Sequence, residues 1–178
     1  TLVDAILNEN LQGKTLLELG TGSGAISISI SQENKDCFIF ATDISIKSIL
    51  VAKQNAAKLS SENIIFLNHD WNNEWLFPQV DYLISNPPYV DKEATSGKEE
   101  GIWHEPEIAL FSKDKGLSDL KLILSKGKKF LNESGKVYLE HAPDQYEELN
   151  KFAMDNGYLN FSNLNDLNGD KRVSIYQC

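Results

Sequence analysis

The sequence predicts an α/β fold with a largely parallel sheet and helices on both faces. Short apolar segments of strand length alternate with longer segments of helical periodicity, and this alternation is typical of parallel sheets built from strand–helix–strand units. A glycine-rich turn follows the first apolar segment, and an Asn-Pro-Pro-Tyr sequence follows a later one. Ligands bind at the carboxyl ends of the strands in such sheets, so both segments are predicted to lie at one functional edge.

The composition is that of one globular domain. Its 178 residues are enough to bury a core, and 41% of them are hydrophobic. The sequence contains no apolar run long enough to span a membrane and no signal stretch at its start. The two cysteines, Cys37 and Cys178, lack metal-ligand spacing, so we expect a cytoplasmic protein without a metal site and with Cys37 in the core.

The net charge of −9 argues against general binding to nucleic acid, which usually needs a basic face. A basic patch could only come from the lysines between residues 113 and 136, which we interpret as solvated helix faces. We therefore expect no direct nucleic-acid partner.

Helices are predicted where apolar residues recur every three or four positions, as they do from Leu2 to Leu7. Ser45 is a suitable N-cap for the third helix, and Gly157 is a suitable stop for the last one. The predicted helices span residues 1–10, 25–32, 45–59, 117–131 and 146–156.

Strands are predicted where short apolar or β-branched runs stand between turn residues. The polar stretch 91–104 contains Gly97 and Gly101 and is predicted to be a mobile loop. The sequence DLNGDKR at 166–172 is predicted to be a hairpin turn in which Arg172 pairs with a carboxylate. The predicted strands span residues 15–19, 37–42, 64–67, 80–85, 136–141, 158–161 and 172–176.

Two rules conflict in the segment AISISISQ at residues 25–32. Its isoleucines alternate as in a strand, yet a glycine-rich turn directly after a buried strand normally opens a helix. We predict a helix, because a strand here would leave no chain for the crossover between parallel strands.

The sequence from Glu18 to Gly24, ELGTGSG, is a candidate cofactor loop because it follows the first predicted strand. Glycine allows the backbone to pass close to a ligand and to adopt positive φ. The spacing differs from the dinucleotide fingerprint Gly-x-Gly-x-x-Gly, and no Gly-Lys-Ser/Thr follows as in a phosphate-binding P-loop. A cofactor with an adenosine and no phosphates suits the loop better, and a plain tight turn is the structural alternative.

Polar residues also end three later strands. Asp43 follows the second strand, where a carboxylate can accept hydrogen bonds from the two hydroxyls of a ribose. The turn His69-Asp70-Trp71 follows the third strand, and its tryptophan can pack against an adenine or fill the core, the core being favoured for the tryptophan alone. Glu140 and His141 end a later strand, where we interpret the isolated histidine as structural.

The strongest signal is Asn86-Pro87-Pro88-Tyr89 at the end of the fourth strand. Proline donates no backbone hydrogen bond and restricts the residue before it, so this segment is a stiff corner with carbonyls free to accept. The Asn86 side-chain oxygen and the Pro87 carbonyl can accept both hydrogens of a planar –NH₂ group, and Tyr89 can stack on it. Such contacts draw the nitrogen lone pair out of conjugation and aim it at an electrophile, and orientation of this kind contributes up to ~7–11 kcal/mol. A strand terminator is the structural alternative.

These segments stand in a characteristic order: ELGTGSG, Asp43, Asp70-Trp71, NPPYV, HEPEIAL at 104–110, Gly116-Leu117, LEHAPDQ at 139–145 and DLNGDKR. The order resembles that of class I S-adenosylmethionine-dependent methyltransferases that act on planar nitrogen. More narrowly, the sequence is similar to the peptide chain release factor glutamine methyltransferases (the HemK/PrmC family) over nearly its whole length. The NPPY motif alone is shared with the adenine and cytosine amino-methyltransferases of DNA, and the later segments favour the protein methyltransferase.

The resemblance implies a Rossmann-like domain with a mostly parallel seven-stranded sheet that performs a methyl transfer. S-adenosylmethionine would be the cofactor and S-adenosylhomocysteine its product, with no metal. The acceptor would be the side-chain amide nitrogen of the glutamine in the Gly-Gly-Gln motif of a release factor. The cofactor would be held by Glu18, Gly20, Thr21, Gly22, Ser23, Gly24, Asp43, Ile44, Asp70, Trp71 and Asn86, and the acceptor by Asn86, Pro87, Pro88 and Tyr89.

The sequence leaves two other functions open. A nucleic-acid amino-methyltransferase would need a target-recognition domain or a basic face, and the sequence shows neither. A module that binds the cofactor without transferring methyl is disfavoured by an intact NPPY motif beside an intact glycine loop. The family usually carries an N-terminal helical domain joined by a linker, so residues 1–178 are expected to form the catalytic domain alone, as a monomer that contacts neither nucleic acid nor a membrane.

Overall fold

The computed structural model describes residues 1–91, 111, 112 and 116–178, which form a central sheet with helices on both faces. Residues 92–104 of the predicted polar loop, and the HEPEIAL segment, lie outside the described residues. The helices are α1 (Leu2–Leu7), α2 (Ala25–Glu33), α3 (Ile46–Lys58), α4 (Ser118–Gly127) and α5 (Tyr146–Asp155). The strands are β1 (Thr15–Leu19), β2 (Phe38–Asp43), β3 (Ile64–Asn68), β4 (Val80–Ser85), β5 (Val90–Asp91), β6 (Phe111–Ser112), β7 (Leu131–Glu140), β8 (Asn160–Asn165) and β9 (Lys171–Gln177).

The larger sheet has seven strands in the order β3-β2-β1-β4-β7-β9-β8. The five strands from β3 to β7 in this order pair in parallel, and β9 runs antiparallel to both of its neighbours. The strand order reverses between β1 and β4, which is where open α/β sheets bind ligands. The predicted α/β fold with a mostly parallel seven-stranded sheet is therefore confirmed, and the small pair β5–β6 is an addition that the sequence did not predict.

Both faces of the central strands β1 and β4 are buried, because helices cover both sides of the sheet. Leu17 and Leu83 pack in one buried cluster with α4 and α5, while Leu16 and Ile84 pack in another with α1. Neighbouring residues of one central strand thus belong to opposite cores, which explains why the sequences of β1 and β4 are mostly apolar. Cys37 belongs to the second cluster, as predicted. None of the helices in the described part of the chain is long and apolar enough to cross a membrane.

The segment 25–32 forms a helix, as predicted against its alternating isoleucines. This helix, α2, buries Ser27 and Ser31 completely. Both serines have partners there, since Ser27 donates to Glu18 and Ser31 donates to Asn63. The two serines lie four residues apart and so share one helix face, and their alternation with isoleucine reflects buried hydrogen-bond partners rather than a strand.

Several boundaries differ from the predictions. The first helix spans Leu2–Leu7 instead of 1–10, and β8 spans Asn160–Asn165 instead of 158–161. Two further differences arise because turn-like residues lie inside a strand. The helix predicted to reach Leu131 ends at Gly127 and continues as one short 3₁₀ turn, and β7 begins at Leu131 instead of Lys136. The intervening Asn-Glu-Ser-Gly sequence forms an irregularity in the pairing of β4 with β7, with Ser134 at a φ of 63°. Such a bulge keeps the chain in the sheet while it accommodates residues that do not pair.

The predicted caps and the predicted hairpin are confirmed. The Ser45 side chain accepts a hydrogen bond from the Ser48 N–H at the start of α3, and Gly157 has a φ of 79° directly after Asn156, the C-cap of α5. The turn between the antiparallel strands β8 and β9 begins at Asp166, which pairs with Arg172 at 3.4 Å.

Replacing Leu83 by alanine should destabilise the fold, since Leu83 is fully buried in a central strand. The free energy of unfolding should fall by about 2–5 kcal/mol, the usual cost of removing a buried leucine side chain and leaving a cavity. Leu76→Ala removes the same atoms from a residue that is 83% exposed, and it should change the free energy by less than about 0.5 kcal/mol. Urea unfolding curves measure both changes, and equal losses would contradict this description of the core.

Candidate active site

The parallel strands end level with one another at one edge of the sheet. Leu19 of β1 pairs with Thr42 of β2 on one side and with Ser85 of β4 on the other, and Ser85 pairs with Leu139 of β7. The hydroxyl of the fully buried Ser85 donates a hydrogen bond of 2.7 Å to the carbonyl of Leu19. The glycine-rich loop after Leu19 and the segment that starts at Asn86 therefore leave from adjacent, bonded strand ends.

The glycine-rich loop folds tightly between β1 and β2. The N–H of Thr21 donates to the carbonyl of Thr42 at 2.8 Å, and the N–H of Gly24 donates to the carbonyl of Thr21 at 2.8 Å. A Cβ atom on Gly20 would lie 3.1 Å from the Trp71 ring, so glycine lets this ring lie directly against the loop. The loop glycines at positions 20, 22 and 24 all have positive φ, of 75°, 55° and 86°.

Glu18 is buried beneath this loop and organises it. Its Oε2 atom accepts hydrogen bonds from the Thr21 hydroxyl at 2.7 Å, from the Ser27 N–H at 3.2 Å and from the Ser27 hydroxyl. Its Oε1 atom is buried and has no hydrogen-bond partner among the described residues. Burial raises the pKa of Glu18 above its ordinary value, although the bonds from Ser27 and Thr21 act in the opposite direction. An unpaired buried acceptor is costly, so a ligand donor at Oε1 would relieve that cost.

Asp43 faces the loop from the end of β2. Its Oδ2 atom accepts a hydrogen bond from the Gly22 N–H at 2.9 Å, and its Oδ1 atom accepts one from the Ser45 N–H at 2.8 Å. A carboxylate offers about four lone-pair sites, so both oxygens retain capacity for a ligand. Ile44 is 48% exposed beside Asp43, and Ser23 is exposed within the loop.

The turn after β3 brings Trp71 to the loop. The half-buried ring packs against the core cluster of α4, as the core interpretation predicts, and its contact with Gly20 also places it beside the loop. The Trp71 indole N–H donates to Asp119 at 3.3 Å. The Oδ1 atom of Asp70 accepts hydrogen bonds from the backbone and the side chain of Asn72, so Asp70 shapes the turn.

Lys126 holds this turn in place from α4. Its ammonium donates to the carbonyls of Trp71, Asn72 and Asn73 at 2.9, 2.8 and 3.0 Å. The prediction that the lysines between residues 113 and 136 form solvated helix faces is therefore wrong for Lys126. Backbone carbonyls that converge on one cation fix the position of the turn that carries the tryptophan.

The Asn86-Pro87-Pro88-Tyr89 segment leaves β4 as a buried corner with an exposed first residue. Both prolines are buried, Asn86 is exposed and Tyr89 is half-buried. Among the described residues, no donor bonds to the Asn86 side chain or to the Pro87 carbonyl. Within this part of the chain nothing competes for the two acceptors that the sequence analysis assigned to a planar –NH₂ group.

Tyr89 is tied to the end of β7. Its hydroxyl donates to Oε1 of Glu140 at 3.3 Å, and its carbonyl accepts a hydrogen bond of 3.0 Å from the side chain of Gln145. Burial raises the pKa of the Tyr89 phenol and of the Glu140 carboxyl alike. A phenol with a raised pKa keeps its proton, and the hydroxyl therefore remains a donor to Glu140.

His141 is structural, as the sequence interpretation predicts. It is fully buried, with Nδ1 2.8 Å from the Ala142 carbonyl and Nε2 2.7 Å from the Ser174 hydroxyl. Because a carbonyl only accepts, the ring proton is assigned to Nδ1, and Nε2 accepts from Ser174. Burial lowers the pKa of His141, which favours this neutral form.

Sequence reasoning missed residues that position the site through backbone carbonyls. Nothing about a serine, lysine, glycine or glutamine type points to such a role, because the partner is a main-chain atom far away in sequence. Two of them lie in segments on which the family resemblance rests, and that position was the available signal. The missed residues are Ser85, Gly116, Lys126 and Gln145.

Comparisons with known proteins identify the family and the fold of this chain. The family model "Methyltransferase small domain" matches residues 1–105. A bifunctional methyltransferase of Rickettsia bellii is 39% identical over 166 residues, which cover 92% of this chain and 30% of that protein. A release factor glutamine methyltransferase of Francisella tularensis is 34% identical over 177 residues, which cover 99% of this chain and 62% of that protein. The crystal structure of a methyltransferase from Pyrococcus furiosus superposes with a TM-score of 0.72 at 20% identity, covering 99% of this chain and 82% of that one.

These matches define the class of the protein. The chain belongs to the methyltransferase small domain family and has the fold of class I S-adenosylmethionine-dependent methyltransferases. Within that class, the resemblance to release factor glutamine methyltransferases is confirmed by relatives of that name at 31–34% identity. The chain spans less than two thirds of the length of these curated relatives.

Glu18→Gln should reduce the pH dependence of stability. Because burial raises the pKa of Glu18, the folded protein binds this proton more tightly than the unfolded chain, and the free energy of unfolding falls as the pH rises through the raised pKa. Glutamine has no proton to lose, so the variant should show a smaller fall between about pH 4 and about pH 8. Urea unfolding over this range measures the difference, with Glu62→Gln as an exposed control. Parallel pH curves for Glu18→Gln and the wild type would contradict the burial of an ionisable carboxyl here.

Proposed function

We propose that this chain transfers a methyl group from S-adenosylmethionine to the side-chain amide nitrogen of the glutamine in the Gly-Gly-Gln motif of a peptide chain release factor. The observation that carries the proposal is the placement of two segments on bonded strand ends. The glycine-rich loop suits an adenosine cofactor, and Asn86 and Pro87 beside it present acceptors for a planar amide.

The residues at the carboxyl edge fit S-adenosylmethionine, which supplies an electrophilic methyl group on a positively charged sulfur. The three loop glycines would line its methionine part, where the unpaired Oε1 of Glu18 offers an acceptor to an N–H donor. Asp43 would accept the two ribose hydroxyls, and Trp71 would lie beside the cofactor. The proposed reaction needs no metal, because the methyl donor is already activated by its charge.

Asn86 and Pro87 would compensate for the weak nucleophilicity of an amide nitrogen. The nitrogen lone pair of a glutamine side chain is conjugated with its own carbonyl and is a poor nucleophile. Hydrogen bonds from the two N–H groups to the Asn86 side-chain oxygen and the Pro87 carbonyl would turn this lone pair toward the methyl group. The rate gain comes from orientation, which contributes up to ~7–11 kcal/mol in favourable cases. The proton leaves after attack, when the nitrogen has become acidic, so no general base is required beforehand.

The substrate class is supported by the curated relatives named release factor glutamine methyltransferase. Relatives named bifunctional methyltransferase carry an additional activity by their name, and this chain spans only 30–33% of their length. A release factor is therefore the proposed partner. We propose that this protein binds it as a monomer in the cytoplasm. An exocyclic amine of DNA or RNA is the alternative acceptor, and the net charge of −9 argues against it.

Methyl transfer from labelled S-adenosylmethionine to a purified, unmethylated release factor tests the proposal, with DNA and tRNA assayed in parallel. The modified residue is located by mass spectrometry, and a release factor with alanine in place of the motif glutamine is the matched control. Label on the glutamine that is absent from the control would establish the reaction. Label on nucleic acid alone would replace the proposal with the alternative. No label on any acceptor would contradict the activity of this chain.

Asn86→Ala should abolish methyl transfer and leave most of the cofactor binding, since the glycine-rich loop, Asp43 and Trp71 would supply the other contacts. The change removes one of the two acceptors for the glutamine amide, and loss of orientation should lower kcat by at least about 100-fold. Asn160→Ala is the matched control, since Asn160 is exposed and pairs with the far end of β9. Steady-state kinetics and cofactor titration separate the two effects. Wild-type turnover by Asn86→Ala would contradict the role of Asn86.

A further inference from the structure

Residues 86–89, which carry the proposed hydrogen-bond acceptors for the substrate, form the acceptor segment. Its last residue, Tyr89, packs against Gly116 and is hydrogen-bonded to Gln145, and we call this set of contacts the joint. The Gln145 Nε2 atom donates to the Tyr89 carbonyl at 3.0 Å, and the Gln145 Oε1 atom accepts from the Ala142 N–H at 2.9 Å. The bond from Ala142 determines which end of the amide is oxygen, so Nε2 is the atom that faces Tyr89. Gln145 is only 5% exposed, so water cannot readily replace these bonds.

Gly116 provides the space for this joint. A Cβ atom at this position would lie 2.0 Å from the Tyr89 carbonyl oxygen and 2.5 Å from the Gln145 Nε2 atom. One of these neighbours is backbone and the other is a buried amide, so a side chain at 116 would push the two partners apart. The φ of 82° at Gly116 also favours glycine. The joint thus depends on a residue without a side chain.

The joint is anchored to the far side of the sheet through the turn after β7. His141 in this turn bonds to the Ser174 hydroxyl of β9 at 2.7 Å and to the Ala142 carbonyl at 2.8 Å. Ala142 in turn bonds to Gln145, which bonds to the Tyr89 carbonyl. A series of hydrogen bonds that passes through the backbone of Ala142 therefore links β9 to the Tyr89 carbonyl.

We propose that Gln145 is a positioning residue for methyl transfer, which fixes the acceptor segment 86–89 by holding the Tyr89 carbonyl. This inference rests on the proposed function, because the position of the segment matters to a rate only if it presents the acceptor nitrogen. The two prolines have a fixed φ, so few backbone dihedrals between Pro87 and Tyr89 can compensate for a movement of Tyr89. Such a movement should therefore displace the Pro87 carbonyl. A displacement of about 1 Å at reacting groups can lower a rate about 100-fold.

Gln145→Glu tests this role with little change in shape. A carboxylate can still accept from Ala142, but it cannot donate to the Tyr89 carbonyl and repels it. We expect kcat for the acceptor to fall about 10- to 100-fold, with the KM of the acceptor and the Kd of the cofactor within about twofold of the wild type. Hydrogen–deuterium exchange should rise in the peptide that carries the backbone N–H groups of Tyr89 and Val90.

The same variant should regain activity at low pH. A protonated carboxyl has one O–H donor, which can restore the hydrogen bond to the Tyr89 carbonyl. Burial raises the pKa of a carboxyl at such a position, so the ratio of variant to wild-type kcat should rise as the pH falls from about 8 to about 6. If Gln145 served only the stability of the fold, protonation of the introduced carboxyl would not raise the kcat of the folded variant.

Gln32→Glu is the matched control, because it introduces the same charge and breaks the same kind of bond. Gln32 lies on the last turn of α2, where its side chain donates to the Leu59 carbonyl at 2.7 Å. This variant should keep the wild-type kcat and the wild-type exchange near Tyr89. The positioning role is overturned if Gln145→Glu keeps the wild-type kcat, or if its loss of activity only matches a loss of cofactor binding and of Tm.

Wild-type protein assayed in parallel separates this inference from the proposed function. If the wild type methylates a nucleic-acid amine instead of the glutamine, the proposed acceptor is wrong, and the comparison of kcat is made on that amine. If the wild type transfers no methyl group, the proposed function is wrong and the positioning role is overturned with it, and hydrogen exchange then tests only whether Gln145 holds the Tyr89 carbonyl. Exchange that rises in Gln145→Glu but not in Gln32→Glu would then support the joint, and unchanged exchange would overturn it.

Discussion

The site depends on the parallel register between β1 and β4. Leu19 and Ser85 are direct partners at the last paired position, and the Ser85 hydroxyl bonds to the Leu19 carbonyl inside the core. Neighbouring strands lie about 4.8 Å apart, so the two loops that follow start side by side. A shift of one residue in this register would turn every side chain of β4 to the other face and separate the two loops. In the proposed reaction, the distance between the cofactor and the methyl acceptor would therefore be set by the core of the sheet.

The acceptor segment is held rigid without belonging to a helix or a large sheet. Its start is fixed by Ser85, its end by the side chains that bond Tyr89, and its middle by two buried prolines. The Pro87 carbonyl therefore has no donor among the described residues, while the Tyr89 carbonyl is held by Gln145. Preorganised acceptors of this kind need no rearrangement when a substrate binds, which is where much of the catalytic effect of polar groups arises.

The glycine-rich loop also holds a preorganised hydrogen-bond acceptor, which is the buried carboxyl of Glu18. Moving a carboxylate from water into the protein interior costs free energy unless hydrogen-bond donors surround it. Here Thr21 and Ser27 donate hydrogen bonds to one oxygen of Glu18. The other oxygen remains unpaired among the described residues. The loop is thereby folded around an acceptor that a ligand donor would satisfy, and in the proposed function binding would offset this local cost.

Much of the fold and the candidate site could be predicted from local sequence signals. The glycine loop, Asp43 and the Asn86–Tyr89 segment are recognisable because glycine, proline and strand-end carboxylates have strong local meanings, and the helix at 25–32 followed from connectivity. The bulge in β7 was missed because Asn-Glu-Ser-Gly has the composition of a turn.

The supporting contacts were missed for a different reason. Lys126 and Gln145 act on backbone carbonyls 53 or more residues away in sequence, and a carbonyl has the same chemistry at every position. Their roles are defined only when the fold brings the partners together. Apart from the position of Gln145 in the segment LEHAPDQ, which carries the family resemblance, no pattern in the neighbouring sequence distinguishes such a lysine or glutamine from a solvated one.

The central claim is that Asn86 and Pro87, at the end of β4 and beside the glycine-rich loop, bind the side-chain amide of the substrate glutamine. A crystal structure with S-adenosylhomocysteine and a peptide that contains Gly-Gly-Gln tests it most directly. We expect the glutamine amide nitrogen within hydrogen-bond distance, about 2.7–3.2 Å, of both the Asn86 side-chain oxygen and the Pro87 carbonyl. A glutamine bound elsewhere, or bound here with its oxygen instead of its nitrogen toward these acceptors, would contradict the claim.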